Sequence, residues 1–229
     1  MKVKVLTIFP EIFPGFLGYS LTGKALDDGK WSLSAVNIRD YAFDKHGSVD
    51  DTPCGGGAGM IMRPDVLGEA LAHEYHGGRL IYMSPRGKPL TQAMLHELAA
   101  EPELTIICGR FEGVDERVLE AYNVEEISIG DYILTGGDQA AMIMLDGIVR
   151  LLPNVLGNEQ STEDESFENQ LLEYPQYTRP VSWQGRDVPE VLLSGHHKNI
   201  ENWRKEQSLK ITESKRPDLF KKYLDSKKV

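Results

Sequence analysis

Cysteine is scarce. Cys54 and Cys108 are the only two in 229 residues, and no C-x-x-C pair occurs. A disulfide framework and a cysteine zinc site therefore lack raw material, and the pattern suits a reducing cytoplasm. Long apolar runs are missing too. No stretch reaches the roughly eighteen residues a membrane span needs, so no membrane partner is expected. The opening MKVKVLTIFPEIF holds a short apolar run broken by Pro10 and Glu11. That is too brief for a secretory signal and reads as a first β-strand. No G-x-G-x-x-G follows it, so the dinucleotide fingerprint is absent. GYSLTGKA, residues 18–25, approaches a P-loop, but Ala25 stands where a magnesium-holding hydroxyl belongs, and Pro10 and Pro14 separate it from the strand. His73 and His76, in HEYH, read better as exposed helix histidines than as ligands, and no protein metal site is assigned.

Positive charge is short overall. The net charge is −10, which argues against a DNA partner. Its distribution is uneven, however. Residues 170–229 hold 12 Lys and Arg against 8 Asp and Glu, while residues 1–169 hold 13 against 27. A basic end on an acidic body fits a polyanion partner or a solvated helical tail.

What is present is alternation. Apolar or β-branched runs at 3–9, 31–38, 79–83, 104–108 and 125–129 predict strands. Between and after them, 14–28, 64–76, 90–101, 114–122 and 138–152 have helical character, with Thr91 as an N-cap and Pro153 as a stop. Strands alternating with helices predict an α/β fold with a mainly parallel sheet. GNEQSTEDESFENQ, around 157–170, is polar and acidic and reads as a linker. The expected organisation is a large domain over 1–158, a flexible linker over 159–171 and a small helical domain over 172–229. Its last helix is expected to start at Pro217.

Three strands run straight into glycine-bearing loops: SPRG (84–87), GRFEG (109–113) and GDYILTGG (130–137). In a parallel sheet these loops share one edge, where α/β folds bind ligands. Glycine lets a backbone come close to a ligand or to another loop. Ile129, Leu134, Tyr82 and Met83 offer apolar walls for a flat ring, and adenosine with a thioether tail would suit such a pocket because it brings no phosphate.

FPEIF, VDDTPCGGGAGM, YMSPRG, CGRFEGVDER, SIGDYILTGG, PNVLGNEQS, YPQYTRP, VLLSGHH and WRKEQSL occur in that order from residue 8 to about 209. On these stretches the chain resembles the bacterial tRNA (guanine-N1)-methyltransferases of the SPOUT superfamily. The resemblance implies S-adenosylmethionine as methyl donor and N1 of the guanine just 3′ of the anticodon as acceptor. It also implies a trefoil knot and a homodimer with the active site at the interface. It places the cofactor on Tyr82, Met83, Ser84, Pro85, Gly109, Phe111, Glu112, Gly113, Ser128, Ile129, Gly130, Asp131, Tyr132, Ile133, Leu134, Gly136 and Gly137. Mg²⁺ enters only as an ion accompanying tRNA.

Guanine N1 carries a proton at neutral pH. Methylation needs that proton removed and the charge developing on O6 stabilised, work for a carboxylate and an arginine. Arg150 interrupts the apolar DGIVRLLP. From the residues alone it either serves a site or snorkels at a helix C-terminus; the resemblance assigns it to the substrate. The family's general base is an aspartate directly before Ser-Phe. Here Glu165 fills that slot, Asp164 precedes it, and Glu165 is favoured. For tRNA phosphates the candidates are Arg179, Arg204, Lys205 and Lys210, with Trp203 read as core. A binding-only RNA module and a methyltransferase for a different RNA are the competing readings. CGGGAGM (54–60) is either a loop over the site or a surface hairpin.

Overall fold

The computed structural model of the chain describes residues 1–157 and 165–227. The chain divides into two compact units, Met1–Gly157 and Asn158–Val229.

The first unit runs β1 (Lys2–Thr7), α1 (Ser20–Asp27), β2 (Ser32–Asn37), β3 (Asp50–Asp51), β4 (Ile61–Met62), α2 (Pro64–Glu74), β5 (Arg79–Pro89), α3 (Gln92–Ala99), β6 (Glu103–Ile107), α4 (Glu116–Ala121), β7 (Glu125–Ser128) and α5 (Asp138–Val149). Five strands form one sheet in the order β2-β1-β6-β5-β7, and every pairing in it is parallel. Buried residues alternate along the strands. Val3, Val5, Ile81, Met83, Leu104 and Ile106 face one core with Ala141, Met144, Leu145 and Ile148 of α5. Leu6, Leu80, Tyr82 and Ile107 face a second core with Val66, Leu67, Ala70 and Leu71 of α2 and Val118 and Leu119 of α4. Period-two side chains buried on both faces are what a helix-covered parallel sheet requires.

Two of the expected elements differ from the sequence pattern, and the short antiparallel pair β3–β4 is additional to it. The helix expected over 14–28 is split into a 3-10 turn at Gly15–Gly18 and then α1. The break falls at Tyr19, which is extended, and Ser20, at φ +53, neither of which continues a helix. The turn then packs so closely on α1 that a Cβ on Gly23 would strike the carbonyl of Gly18. β5 is also longer than its apolar run. Met83 and Lys88 both pair with Ile127, so Ser84–Gly87 leaves the ladder as a four-residue bulge and then rejoins it. Gly87 is obligatory there, because a Cβ would collide with the Glu126–Ile127 peptide.

In the second unit residues 165–171 form consecutive turns, with Phe167 and Gln170 at positive φ. A hairpin of β8 (Ser182–Trp183) and β9 (Arg186–Asp187) is followed by α6 (Glu190–Leu193), α7 (His197–Lys215) and α8 (Pro217–Ser226). α7 is polar along most of its length. It is held through Thr212, whose hydroxyl donates to the Ser208 carbonyl at 2.6 Å and accepts from Leu172 N–H at 2.8 Å. Trp203 is half-buried, with its ring 6.1 Å from that of Tyr177, as a packing residue would be.

Candidate functional site

The loops after β5, β6 and β7 converge at one edge of the sheet around a cavity of about 230 Å³. Tyr82, Met83, Ser84 and Pro85 come from the first loop, and Gly109, Phe111, Glu112 and Gly113 from the second. Ser128, Ile129, Gly130, Tyr132, Ile133, Leu134, Gly136 and Gly137 come from the third. Of the expected cofactor residues, only Asp131 does not line it. Gly130, at φ +149, turns the chain so that Tyr132 lines the cavity while Asp131 is exposed. Arg110, Ile127 and Ala140 line it as well, and sequence reading missed all three.

The glycines answer to geometry. A Cβ on Gly109 would sit 2.7 Å from the edge of the Tyr82 ring, and one on Gly137 would sit 3.1 Å from both Cys108 Cα and Gly109 N. Gly137 N–H donates to the Gly109 carbonyl at 2.9 Å. The third loop therefore passes in backbone contact with the second, which a side chain would prevent. Burial pushes the Tyr82 phenol pKa up, so this wall is neutral at physiological pH. Phe111, Tyr132, Ile133 and Leu134 are all substantially exposed, leaving an apolar rim on the cavity.

A buried network ties this crossing down. Asp138, fully buried at the first turn of α5, accepts from the Thr7 hydroxyl at 2.6 Å and from Arg110 Nε at 2.9 Å, and is ion-paired with Arg110 Nη2 at 2.8 Å. Arg110 Nη1 donates to the Thr135 carbonyl at 3.3 Å, and its guanidinium lies 4.7 Å from the centre of the Phe9 ring. Gly136 makes room for it, since a Cβ there would be 2.5 Å from the Arg110 side chain. No local motif announces this cluster, because its members come from residues 7, 110 and 138.

The glycine-rich stretch 54–60 ends at the cavity rim, where Glu112 N–H donates to the Met60 carbonyl at 2.9 Å and Gly59 abuts the Glu112 side chain. Cys54 on it is exposed, whereas Cys108 is fully buried. Burial, and secondarily the Asp138 carboxylate, push the Cys108 thiol pKa well above its usual value. A thiol reagent at neutral pH should thus count one reactive cysteine in the native protein and two in denaturant. Two fast-reacting thiols in the native protein would mean that the β6 end is not closed as described.

The other expected residues lie elsewhere. Arg150 caps the C-terminal end of α5, whose N-terminal end meets the cavity. Twelve residues at about 1.5 Å rise put it about 18 Å along the helix from Asp138. Glu165, Arg204 and Lys205 line a separate cavity in the second unit, and Asp164 is outside the described residues. Arg179 is exposed, and Lys210 is ion-paired with Glu206 at 2.7 Å. Among the described residues no cluster of three metal-ligating side chains occurs. His73 instead contacts Glu69 at 3.0 Å and stacks on Tyr41.

The chain matches the family model described as tRNA (Guanine-1)-methyltransferase TrmD over residues 1–222. It is 57% identical over 225 residues to a tRNA (guanine-N(1)-)-methyltransferase of Rhodospirillum rubrum, covering 98% of this chain and 94% of that protein. It is 60% identical to proteins of the same name from Bartonella quintana, covering 97% and 96%, and Mesorhizobium japonicum, covering 96% and 96%. With a match of that extent, the chain belongs to the tRNA (guanine-1)-methyltransferase family.

Proposed function

We propose that this chain transfers a methyl group from S-adenosylmethionine to N1 of the guanine immediately 3′ of the anticodon in tRNA. The observation that carries the reading is the glycine-built cavity at the ends of β5, β6 and β7, in a chain of this family. The cavity suits that donor. Its close-packed glycines expose main-chain groups that can read a purine edge, and Ile129, Leu134 and Tyr82 offer apolar walls to the ring. S-adenosylmethionine, when bound, supplies an electrophilic methyl group. Arg150 donates hydrogen bonds to guanine O6 as charge develops there, and Glu165 takes the N1 proton. Mg²⁺ accompanies the RNA. The reaction belongs to the cytoplasm, where tRNA is used.

The working form we propose is a homodimer that shares its active sites. Within one copy Arg150 lies about 15 Å along α5 from Ala140, the nearest helix residue lining the cavity, too far for one small base to reach both. Two α5 helices packed antiparallel about a two-fold axis would bring each arginine to the other copy's cavity. Ile143, midway along α5, is about half exposed, as is Phe16 in the turn packed against that helix, so an apolar face is available. The contact between the second and third loops supports a knotted path through this edge.

The test is methyl transfer from labelled S-adenosylmethionine to an unmodified tRNA transcript with guanine after the anticodon. Wild type should be active and Glu165→Gln slower by about a hundredfold or more. Loss confined to Asp164→Asn would move the base by one residue. A wild type that binds the donor but methylates no such tRNA would sink the reading and favour an RNA-binding role.

A further inference from the structure

The second unit holds a cavity of about 340 Å³, within the range of small-ligand clefts. Three cations line it: Arg204, Lys205 and Lys227. Arg204 and Lys227 differ from Lys210 and Arg216. Lys210 is neutralised by Glu206 at 2.7 Å, and Arg216 by Asp218 at 2.7 Å, so those charges are already committed. Arg204 is instead held by a ring, its guanidinium 4.7 Å from the centre of Tyr174. Lys227 Nζ lies 5.6 Å from the centre of the Tyr223 ring. An aromatic face holds a cation without neutralising its charge.

Arg204 has a further mark. Its Nε is shut from solvent with no hydrogen-bond partner. A buried donor left unsatisfied is costly. Arg204 itself lines the cavity, and a guanidinium fork presented to a cavity suits a phosphate. Two carboxylates, Glu165 and Glu201, share the lining, and Glu201 is exposed. The floor is fixed, because Leu172 N–H is bonded to Thr212 and Thr212 to Ser208.

We infer that this cavity binds a phosphodiester of the RNA substrate, with Arg204 as its principal donor and Lys205 and Lys227 as flanking charges. The inference rests on the proposed tRNA reaction and narrows it. Glu165, the proposed base, lines the same cavity. The phosphate held there is therefore that of the reacting guanosine or its immediate neighbour, and Arg204 acts as a positioning residue for it.

The experiment measures tRNA binding as a function of salt, together with kcat and KM, for wild type, Arg204→Met, Arg204→Lys and Lys210→Gln. Thermal melting and donor calorimetry establish that each variant is folded. Arg204→Met is expected to weaken tRNA binding at least tenfold and to lower the slope of log affinity against log salt by about one, the mark of one lost phosphate contact. Arg204→Lys, with a point charge in place of a fork, should recover the slope but only part of the affinity. Lys210→Gln should cost less than a third of the Arg204→Met effect. A folded Arg204→Met with wild-type affinity and slope, or a Lys210→Gln with the larger effect, overturns the assignment while the methylation reading stands. A wild type with no tRNA methylation overturns both. Replacing chloride by inorganic phosphate at equal ionic strength separates the two sources of the anion. The difference between wild type and Arg204→Met persists if the occupant is an RNA phosphodiester. Its disappearance overturns that choice in favour of free phosphate.

Discussion

Arg150→Ala should lower kcat for methyl transfer by about a hundredfold to a thousandfold, the usual cost of removing one donor to a developing oxyanion. Donor affinity should stay within about twofold of wild type, because Arg150 is not among the residues lining the cavity. The stronger consequence concerns copies. If each site takes its cavity from one chain and its arginine from another, two inactive variants can complement each other. Gly109→Val supplies the second, since any Cβ at that position already meets the Tyr82 ring at 2.7 Å and would close the cavity. Coexpressed with Arg150→Ala at equal levels, it forms mixed dimers in half of the population. Each mixed dimer holds one site with both parts intact. Activity should return to about a quarter of wild type in a closed two-fold dimer. A mixture as inactive as its components would mean that each site is built within one chain, with α5 crossing a gap the structure does not bridge.

The parts that were legible in the sequence are those with local causes. Period-two apolar runs mark the strands, and the glycines directly after three of them mark the cavity edge, because both signals lie within a few residues. The bulge in β5 was not legible. It exists only because Lys88 returns to pair with Ile127, a partner far along the chain. Thr7, Arg110 and Asp138 were overlooked for the same reason, since each looks ordinary in its own neighbourhood. The basic residues of the second unit divide along this line. Glu206 and Lys210 stand at i and i+4 on a helix, so their pairing can be read from spacing. The hold of Tyr174 on Arg204 spans thirty residues and cannot. The separation of Arg150 from Gly137 by a full helix was also readable. It needed only the helix rise, and it turns a pair of motif residues into an argument about oligomeric state.

Asp138→Ala should destabilise the first unit by about 3–5 kcal/mol, the cost of stripping a buried charge of its partner. The carboxylate is 0% exposed and receives donors from β1 and from the loop after β6, while Arg110 retains only 17% side-chain exposure. With Asp138 gone, the guanidinium stays beside the Phe9 ring without a counter-charge, and the Thr7 hydroxyl loses its acceptor. Asp138 also sits at the positive end of α5, where a carboxylate is favoured by the helix dipole. Urea unfolding followed by far-UV circular dichroism reads the loss as a fall in midpoint at unchanged slope. The double variant Arg110→Met/Asp138→Ala decides the cause. If the damage comes from an orphaned cation, the double variant should be more stable than Asp138→Ala alone, with a coupling above about 1 kcal/mol. If the two losses merely add, the carboxylate matters through its bond to Thr7. Donor binding separates the two cases again. Arg110 reaches the Thr135 carbonyl and needs Gly136 beneath it, so releasing it loosens the third loop over the cavity. Weaker S-adenosylmethionine binding in Arg110→Met, in a protein that is still folded, would make this buried pair the clamp that keeps the third loop against the second.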